Sequence, residues 1–331
     1  MTKAEFEKLF KQFGEVKAGV IGDVMLDTYW WGSVDRISPE APVPIVALKK
    51  KEHRLGGAAN VALNVKSLGA RVSMFSIIGN DDDGIILEKL FKDQGIGTEY
   101  LLKSNKRITT NKSRIISRNQ QMLRLDAEIT KDLDAPDEDR MIGAVEKFLD
   151  NEKPNVIIFE DYNKGVLTKN VISKVIELCN KRDVITTVDP KRRNFFEFRN
   201  STIFKPNLKE VREAFNIIDE NIGEDLLQEI HQQMKQVLSH QVSLITLSEK
   251  GIFYQGDGEA AVIPAHIRNI ADVSGAGDTV IAVASVVYAA TKDMHLSAEI
   301  ANLAGGIVCE EVGTVPISRD KLFSEMLQLP E

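Results

Sequence analysis

The stretch Asp272-Val273-Ser274-Gly275-Ala276-Gly277-Asp278-Thr279-Val280 opens directly onto an apolar run from Ile281 to Ala290. The run is too short, and too well mixed with Ala and Ser, to span a bilayer, so it reads as a buried helix. The small residues then lie at that helix's N-terminus. Glycines there let the backbone bend tightly and approach a ligand, while the first N–H groups of the helix have no internal partner. Such a terminus favours a nearby anion by roughly 0.3–1 kcal/mol, more when partly buried.

Asp278 admits two readings. It is either a first-turn acid stabilised by the helix dipole, or a general base. As a base it takes the proton of a substrate hydroxyl attacking a phosphoryl group, whose charge rests on the amides of Gly275, Ala276 and Gly277. A dinucleotide fingerprint is the rival from another class, and it fits poorly. Val280 stands where a third small residue belongs, and the expected ribose-binding acid falls near Glu299, inside a helical pattern. No Walker A loop occurs, so any ATP is held by other means.

Outward from this motif, short β-rich runs alternate with helical ones. They are Ala18 to Gly22 and the helix after Gly57, Arg71 to Ile78 and Gly84 to Gln94, and Val156 to Phe159 and Thr168 to Lys181, followed by Val184 to Val188 and Val242 to Leu247. This is the pattern of βαβ units in a mainly parallel sheet with helices on both faces, whose ligands gather at the carboxyl ends of the strands. Ile45 to Leu48, Lys112 to Ile116 and Gln121 to Leu125, the last two separated by "SRNQ", break the alternation. They read either as a small antiparallel sheet forming a lid or as plain edge strands.

The composition is that of a soluble enzyme-sized protein: 331 residues, 43% hydrophobic and 27% charged. A net charge of -7 argues against a broad nucleic-acid surface. Cys179 and Cys309 sit in apolar helical patterns and read as buried reduced thiols. The N-terminal segment is charged and amphipathic, with neither a signal-peptide core nor a cleavage site, so a cytoplasmic location without membrane attachment is expected. The five His residues show no metal-ligand spacing.

"GDVMLD" places Asp23 and Asp27 near the end of the first strand, as hydroxyl acceptors or as surface loop acids. In "GGAANVALNVKSLGA", Gly56 and Gly57 open a turn, and Asn60 either reads a sugar hydroxyl or caps the helix. "PNLKE" sets Asn207 and Glu210 on one helix face, able to hold waters around Mg²⁺ or to form a reciprocal capping box. Lys164, Lys191, Arg192 and Arg193 follow predicted strands, and Arg118 and Arg124 lie on the suspected lid. Together they are either a solvated charge run or a cationic edge for a substrate already carrying phosphate.

Taken together, "GDVMLD", "GGAANVALNVKSLGA", "NLKE" and "DVSGAGDTV" resemble the ribokinase-like (PfkB) sugar kinases over nearly the whole chain. The resemblance implies a single domain over 1–331, a three-layer α/β/α sandwich with a small antiparallel β lid from about 28–50 and 107–126. It also implies ATP and Mg²⁺ as cofactors. Asp278 is then the base and the preceding amides the anion hole. Hydroxyl contacts fall to Asp23, Asp27, Gly56, Gly57, Asn60 and Asp126, and a pre-existing phosphate to Lys164, Lys191, Arg118 and Arg124. ATP falls to Asn207, Ser248, Gly251, Asn302 and Val308, and Mg²⁺ to Glu210 through water. A narrower likeness in "RISPEAPVPIV", "SRNQQMLRLD", "DYNKG" and "VDPKRRNF" is to the D-glycero-β-D-manno-heptose 7-phosphate kinases in their stand-alone form. Lys205 stands where that family more often has Thr, and Ser274 where it has Thr or Gly. Lid strands with open edges imply a homodimer.

Overall fold

The computed structural model describes residues 2–118, 120–218, 223–256 and 258–328. The chain begins with α1 (Lys3–Phe13), β1 (Lys17–Gly22), β2 (Val24–Ile37), β3 (Pro44–Gly57), α2 (Ala58–Ser67), β4 (Arg71–Gly79), α3 (Asp82–Asp93) and β5 (Leu101–Ser104). It continues with β6 (Asn111–Ser117), β7 (Gln120–Ala127), α4 (Ala135–Glu152), β8 (Val156–Glu160), α5 (Lys169–Asn180), β9 (Ile185–Asp189), β10 (Ile203–Phe204) and α6 (Leu208–Phe215). It closes with α7 (Glu224–Leu238), β11 (Val242–Thr246), β12 (Ile252–Gly256), β13 (Glu259–Ile263), α8 (Ala276–Thr291), α9 (Met294–Val308) and α10 (Arg319–Met326).

The main sheet has the order β13-β12-β11-β10-β9-β8-β1-β4-β5. It is parallel from β11 to β5, with β12 and β13 antiparallel at one edge. Successive side chains of a strand face opposite sides, and each central strand feeds two cores in turn. Val156 and Ile158 of β8 enter the core beneath α1, α2, α3, α8, α9 and α10. Ile157 and Phe159 enter the core beneath α4, α5, α6 and α7. A fully buried Val, Leu or Ile contributes roughly 1.5–3 kcal/mol, so these two apolar layers hold the sandwich together. Cys179 and Cys309 are free and buried within it, and burial pushes the Cys179 thiol up to about 12.

From β1 the chain steps one way to β4 and β5, and later the other way through β8, β9, β10 and β11. The sheet therefore reverses direction between β1 and β8, and the crevice at their carboxyl ends is where ligands of open α/β sheets bind.

The second sheet has the order β3-β2-β6-β7. It consists of two antiparallel hairpins joined by a parallel β2–β6 pair. It is larger than the short runs suggested, since β2 and β3 are each 14 residues long. Their body-proximal halves are buried and their distal halves exposed, so no single alternation runs along them. Asp27 consequently lies inside β2 and not in a loop after β1. Residue 119, in the turn expected between β6 and β7, lies outside the described residues. Among the described residues no helix is long and apolar enough to cross a membrane.

Candidate active site

Helix α8 starts at Gly275, which adopts φ 81° and ψ 0° as its N-cap. A side chain there would be strained by the left-handed backbone and would meet Asn60 Nδ2 at 2.9 Å. The amide of Ala276 bonds back to Val273 O, while those of Gly275 and Gly277 make no backbone hydrogen bond among the described residues. The turn thus presents free donors at the positive end of a helix 16 residues long.

Asp278, in the first turn of α8, is buried, and both its carboxylate oxygens are held. Asn60 Nδ2 donates to Oδ2 and the Tyr162 hydroxyl donates to Oδ1, each at 2.8 Å. Asn60 reaches this position because Gly57, at φ 60°, turns the chain from β3 into α2. A second asparagine locks α2 to α8: Asn64 Nδ2 donates to Asn60 O, and its Oδ1 accepts from Thr279 Oγ1 and from Ile317 N. Burial pushes the Asp278 carboxyl above its ordinary value, and the Asn60 and Tyr162 donors pull it part of the way back. This is the environment of a base whose proton affinity is increased while its orientation is fixed.

Asp23, expected at a sugar hydroxyl, is engaged by the loop after β8. Its oxygens accept the backbone N–H groups of Tyr162, Lys164 and Val166, each at 3.0 Å, and it is 1% exposed. Both oxygens being taken, Asp23 shapes the loop after β8 that carries Tyr162. Asp161, in the same loop, accepts from Asn163 N and Asn194 Nδ2. Burial first, and the nearby Asp23 second, raise it to about 7.

Below the α8 terminus lies a buried charge cluster. Lys205 Nζ is 2.7 Å from Asp189 Oδ2, and Lys191 Nζ lies 3.4 Å from Asp189 Oδ1 and 3.0 Å from Glu210 Oε1. A Cβ placed on Gly277 would come within 3.8 Å of the Lys205 ammonium, so this cation abuts the helix start. Burial alone would raise Asp189, but the two lysines outweigh it and hold the carboxyl below its usual value. Glu160, at the end of β8, is fully buried with neither carboxylate oxygen partnered. Burial, and then the charges of Asp189 and Asp278, push it well above the usual range.

"NLKE" forms the reciprocal capping box of α6, with Glu210 N donating to Asn207 Oδ1 and Asn207 N donating to Glu210 Oε2. Its fit to Mg²⁺ rests on the neighbours. The unpartnered Glu160 carboxylate and the acids Asp189 and Glu210 all act on the Lys191 ammonium. Among the described residues no three His, Cys, Asp or Glu side chains form a metal-binding group. Such a donor set suits a cation that keeps its water shell and leans on phosphates.

The lid closes over this region. Its register places Arg54, Asp27, Lys112 and Asp126 in one row across β3, β2, β6 and β7, and Glu52, Tyr29, Arg114 and Arg124 in the next. Paired residues share a face, so Asp27, Arg124 and Asp126 do lie on the side that faces the body. Gly56 is required beside Asp27, because a Cβ there would stand 2.1 Å from Asp27 Oδ2. Between this face and the body lies a cavity of about 680 Å³, lined by Tyr29, Trp31, Arg54, Arg114, Ile116, Gln121 and Asp272 and by Ser274 and Gly313.

Of the cations expected at a substrate phosphate, Arg118 is far out on the lid, its side chain 79% exposed beside Asp35. Lys164 pairs with Glu128 at 2.7 Å, and Lys191 belongs to the Asp189 cluster. The sequence reading missed Tyr29, Arg54, Lys112 and Arg114, whose placement depends on strand register, and Tyr162, which Asp23 holds in the loop after β8.

On the nucleotide side, Ser248 and Gly251 form a turn in which Gly251, at φ 96°, is backed by Ile263 O and Ala265 N. Asn302 Nδ2 donates to Pro264 O, so the turn and α9 meet at the segment leaving β13. Val308 is 3% exposed and packed in the apolar core.

An α/β/α sandwich with a free helix N-terminus and a polarised, buried carboxylate under a β lid defines a small-molecule kinase acting on an alcohol. The chain belongs to the pfkB family of carbohydrate kinases, whose model matches residues 17–321. Sugar kinases of this family use ATP with Mg²⁺. The chain is 37% identical over 334 residues to the "Bifunctional protein HldE" of Geobacter sulfurreducens, covering 98% of this chain and 66% of that protein. It is 40% identical over 308 residues to the protein of the same name from Aliarcobacter butzleri, covering 92% and 63% respectively. The chain thus spans just under two thirds of the length of these relatives. In fold it is similar to Arabidopsis thaliana ribokinase complexed with ribose and ATP, with a TM-score of 0.72 at 16% identity, covering 95% of this chain and 99% of that one. It is likewise similar to Escherichia coli phosphofructokinase-2 in complex with potassium, with a TM-score of 0.75 at 16% identity, covering 94% and 99%.

Proposed function

We propose that the protein transfers the γ-phosphoryl group of ATP to the anomeric hydroxyl of D-glycero-β-D-manno-heptose 7-phosphate. The product is the 1,7-bisphosphate, on the route to ADP-heptose and lipopolysaccharide core heptose. The observation that carries the chemistry is Asp278, held by two donors beside the free amides of Gly275 and Gly277. The choice of sugar is supported by the 37% identity to a protein named HldE across 98% of the chain.

In this reading Asp278 accepts the acceptor's proton, and the free amides of Gly275 and Gly277 stabilise the charge developing on the transferred group. Asn60 and Tyr162 fix the base, and Asp27 and Asp126 on the lid face accept sugar hydroxyls. Lys191 and Lys205 set positive charge against the α8 terminus, on the side of the transferred phosphate. Glu160, Asp189 and Glu210 would hold hydrated Mg²⁺, which supplies charge neutralisation on the nucleotide. Asn207, Ser248, Gly251 and Asn302 border the nucleotide. The exposed β7 edge, with Met122, Leu123 and Leu125 uncovered, supports a homodimer through the lid, and a cytoplasmic location suits the substrates.

The test is ADP release from ATP with a panel of heptoses and hexoses, with and without a terminal phosphate, and phosphorus NMR of the product. Preferential turnover of heptose 7-phosphate to a C1-phosphorylated product is expected. Preference for unphosphorylated sugars would overturn the assignment.

A further inference from the structure

The two guanidinium groups of the lid face share one aromatic ring. The Arg54 and Arg114 guanidinium carbons lie 4.9 Å and 5.3 Å from the centroid of Tyr29. Each arginine is also tethered at one point only. Arg54 Nε donates to Glu52 Oε1 at 2.8 Å, and Arg114 Nη1 donates to Asp27 Oδ1. The remaining guanidinium N–H groups of both residues have no hydrogen-bond partner among the described residues.

Stacking and tethering fix both forks where a flexible lysine would stay mobile. A third cation, Arg124, stands directly across from Arg114 in the β6–β7 register. Like charges opposed in a sheet are destabilising. Each of the three is offset by one carboxylate, Arg54 by Glu52, Arg114 by Asp27 and Arg124 by Asp126, and these pairs aim the forks while leaving most of their N–H donors open to an anion.

Both arginines line the cavity of about 680 Å³ under the lid. The site is also connected to the catalytic turn. A Cβ on Gly313 would meet Arg54 Nη1 at 2.9 Å, and one on Gly275 would meet Thr314 Cγ2 at 3.2 Å. The residue after Gly313 thus touches the cap of α8.

We propose that Arg54 and Arg114, braced on Tyr29, form a subsite for a terminal phosphate dianion on the acceptor sugar. The sugar then lies between the lid arginines and Asp278. The inference rests on the sugar-kinase reading and names residues that the cationic loops Lys164 and Lys191 do not include. A planar fork matches two phosphate oxygens at once, so specificity for a phosphorylated acceptor is built into the lid strands.

The experiment compares wild type with Arg54→Gln and Arg54→Lys, using heptose 7-phosphate and the same heptose without phosphate. Arg54→Gln should raise KM for the phosphorylated sugar by about 10- to 100-fold, the loss of one or two charge-assisted bonds. Arg54→Lys should fall between, and turnover of the unphosphorylated sugar should change less than about twofold, which also reports a folded enzyme. Equal losses on both sugars, or none on the phosphorylated one, would overturn the subsite.

Calorimetric titration with inorganic phosphate and with a hexose 6-phosphate separates this from the heptose assignment. Wild-type binding that Arg54→Gln abolishes upholds the subsite even if heptose 7-phosphate is not turned over. Binding that Arg54→Gln leaves intact, or no binding at all, refutes it whichever sugar is the substrate.

Discussion

Asn60 and Asp278, 218 positions apart in the chain, are joined by a 2.8 Å hydrogen bond from Nδ2 to Oδ2. The bond ties the first turn of α2 to the first turn of α8, so the geometry of the base is set by two helix starts. Asp278→Asn keeps an acceptor for Asn60, and its new amide can donate to the Tyr162 hydroxyl. The fold should survive with an unchanged thermal midpoint. Turnover should fall by roughly 10²- to 10⁴-fold, the usual contribution of a general base. Steady-state kinetics beside a melting curve checks both halves, and near-normal turnover would remove Asp278 from the mechanism.

Tyr162→Phe isolates the second donor. The hydroxyl stabilises the charged form of Asp278, so its loss moves the carboxyl further up. Activity that requires the deprotonated carboxylate must then begin at higher pH. The acid limb of the kcat/KM profile should shift upward while the alkaline plateau stays within several-fold of wild type. An unshifted limb would show that Tyr162 does not control the titration.

Gly275→Ala tests the bend in front of the helix. The new methyl would be strained at φ 81° and would push on Asn60 Nδ2 from 2.9 Å. Strain of this kind costs roughly 1–3 kcal/mol, and the displaced amide can no longer hold Asp278. Stability should drop by about that amount in urea titrations, with activity falling further than stability accounts for. A fully active, fully stable variant would mean that the turn tolerates a side chain.

The sandwich was legible because β1, β4, β8, β9 and β11 are apolar runs separated by helical periods, and "GAGD" marked the start of α8 directly. The lid was only half legible. β2 passes from core to solvent along its length, so Asp27 looked like a loop residue. Arg54 and Arg114 acquire meaning only through the pairings Asp27–Arg54 and Tyr29–Arg114, which no local pattern encodes. Asp23 shows the opposite difficulty. An acid after a strand looks like a ligand group, yet its three backbone donors come from residues 162, 164 and 166. "NLKE" was legible as a cap and as a cation site alike, and its Glu210 takes part in the cap and in the Lys191 ion pair at once.

Asp161 predicts a pH dependence of stability. Its carboxyl, raised to about 7 by burial and by Asp23, binds its proton more tightly folded than unfolded, where the value is about 3.9. The stabilising contribution is complete below about pH 4. It is lost as pH rises toward the folded value, at about 1.4 kcal/mol per pH unit across that window. The stability difference between wild type and Asp161→Asn, from urea midpoints at pH 4.5 to 7.5, should therefore decline steadily with pH. A flat difference would show that the loop accommodates the charged form.

Lys205 and Asp189 give the last prediction. Their side chains are 3% and 5% exposed and meet at 2.7 Å, so neither charge has water to fall back on. Lys205→Met leaves Asp189 with Lys191 alone, 3.4 Å from its other oxygen. Breaking a buried pair costs roughly 3–5 kcal/mol, and the remaining lysine places the expected loss at the lower end. Adding Asp189→Asn removes the orphaned charge and should restore most of the stability, a non-additivity that urea titration of the four proteins measures directly. ATP affinity should not recover in parallel. Gly277 opens onto the Lys205 ammonium, so the double variant keeps Lys191 but loses the cation that abuts the helix start, and its neutral pair cannot replace that charge. Recovery of stability together with full nucleotide affinity would make Lys205 a purely structural partner of Asp189.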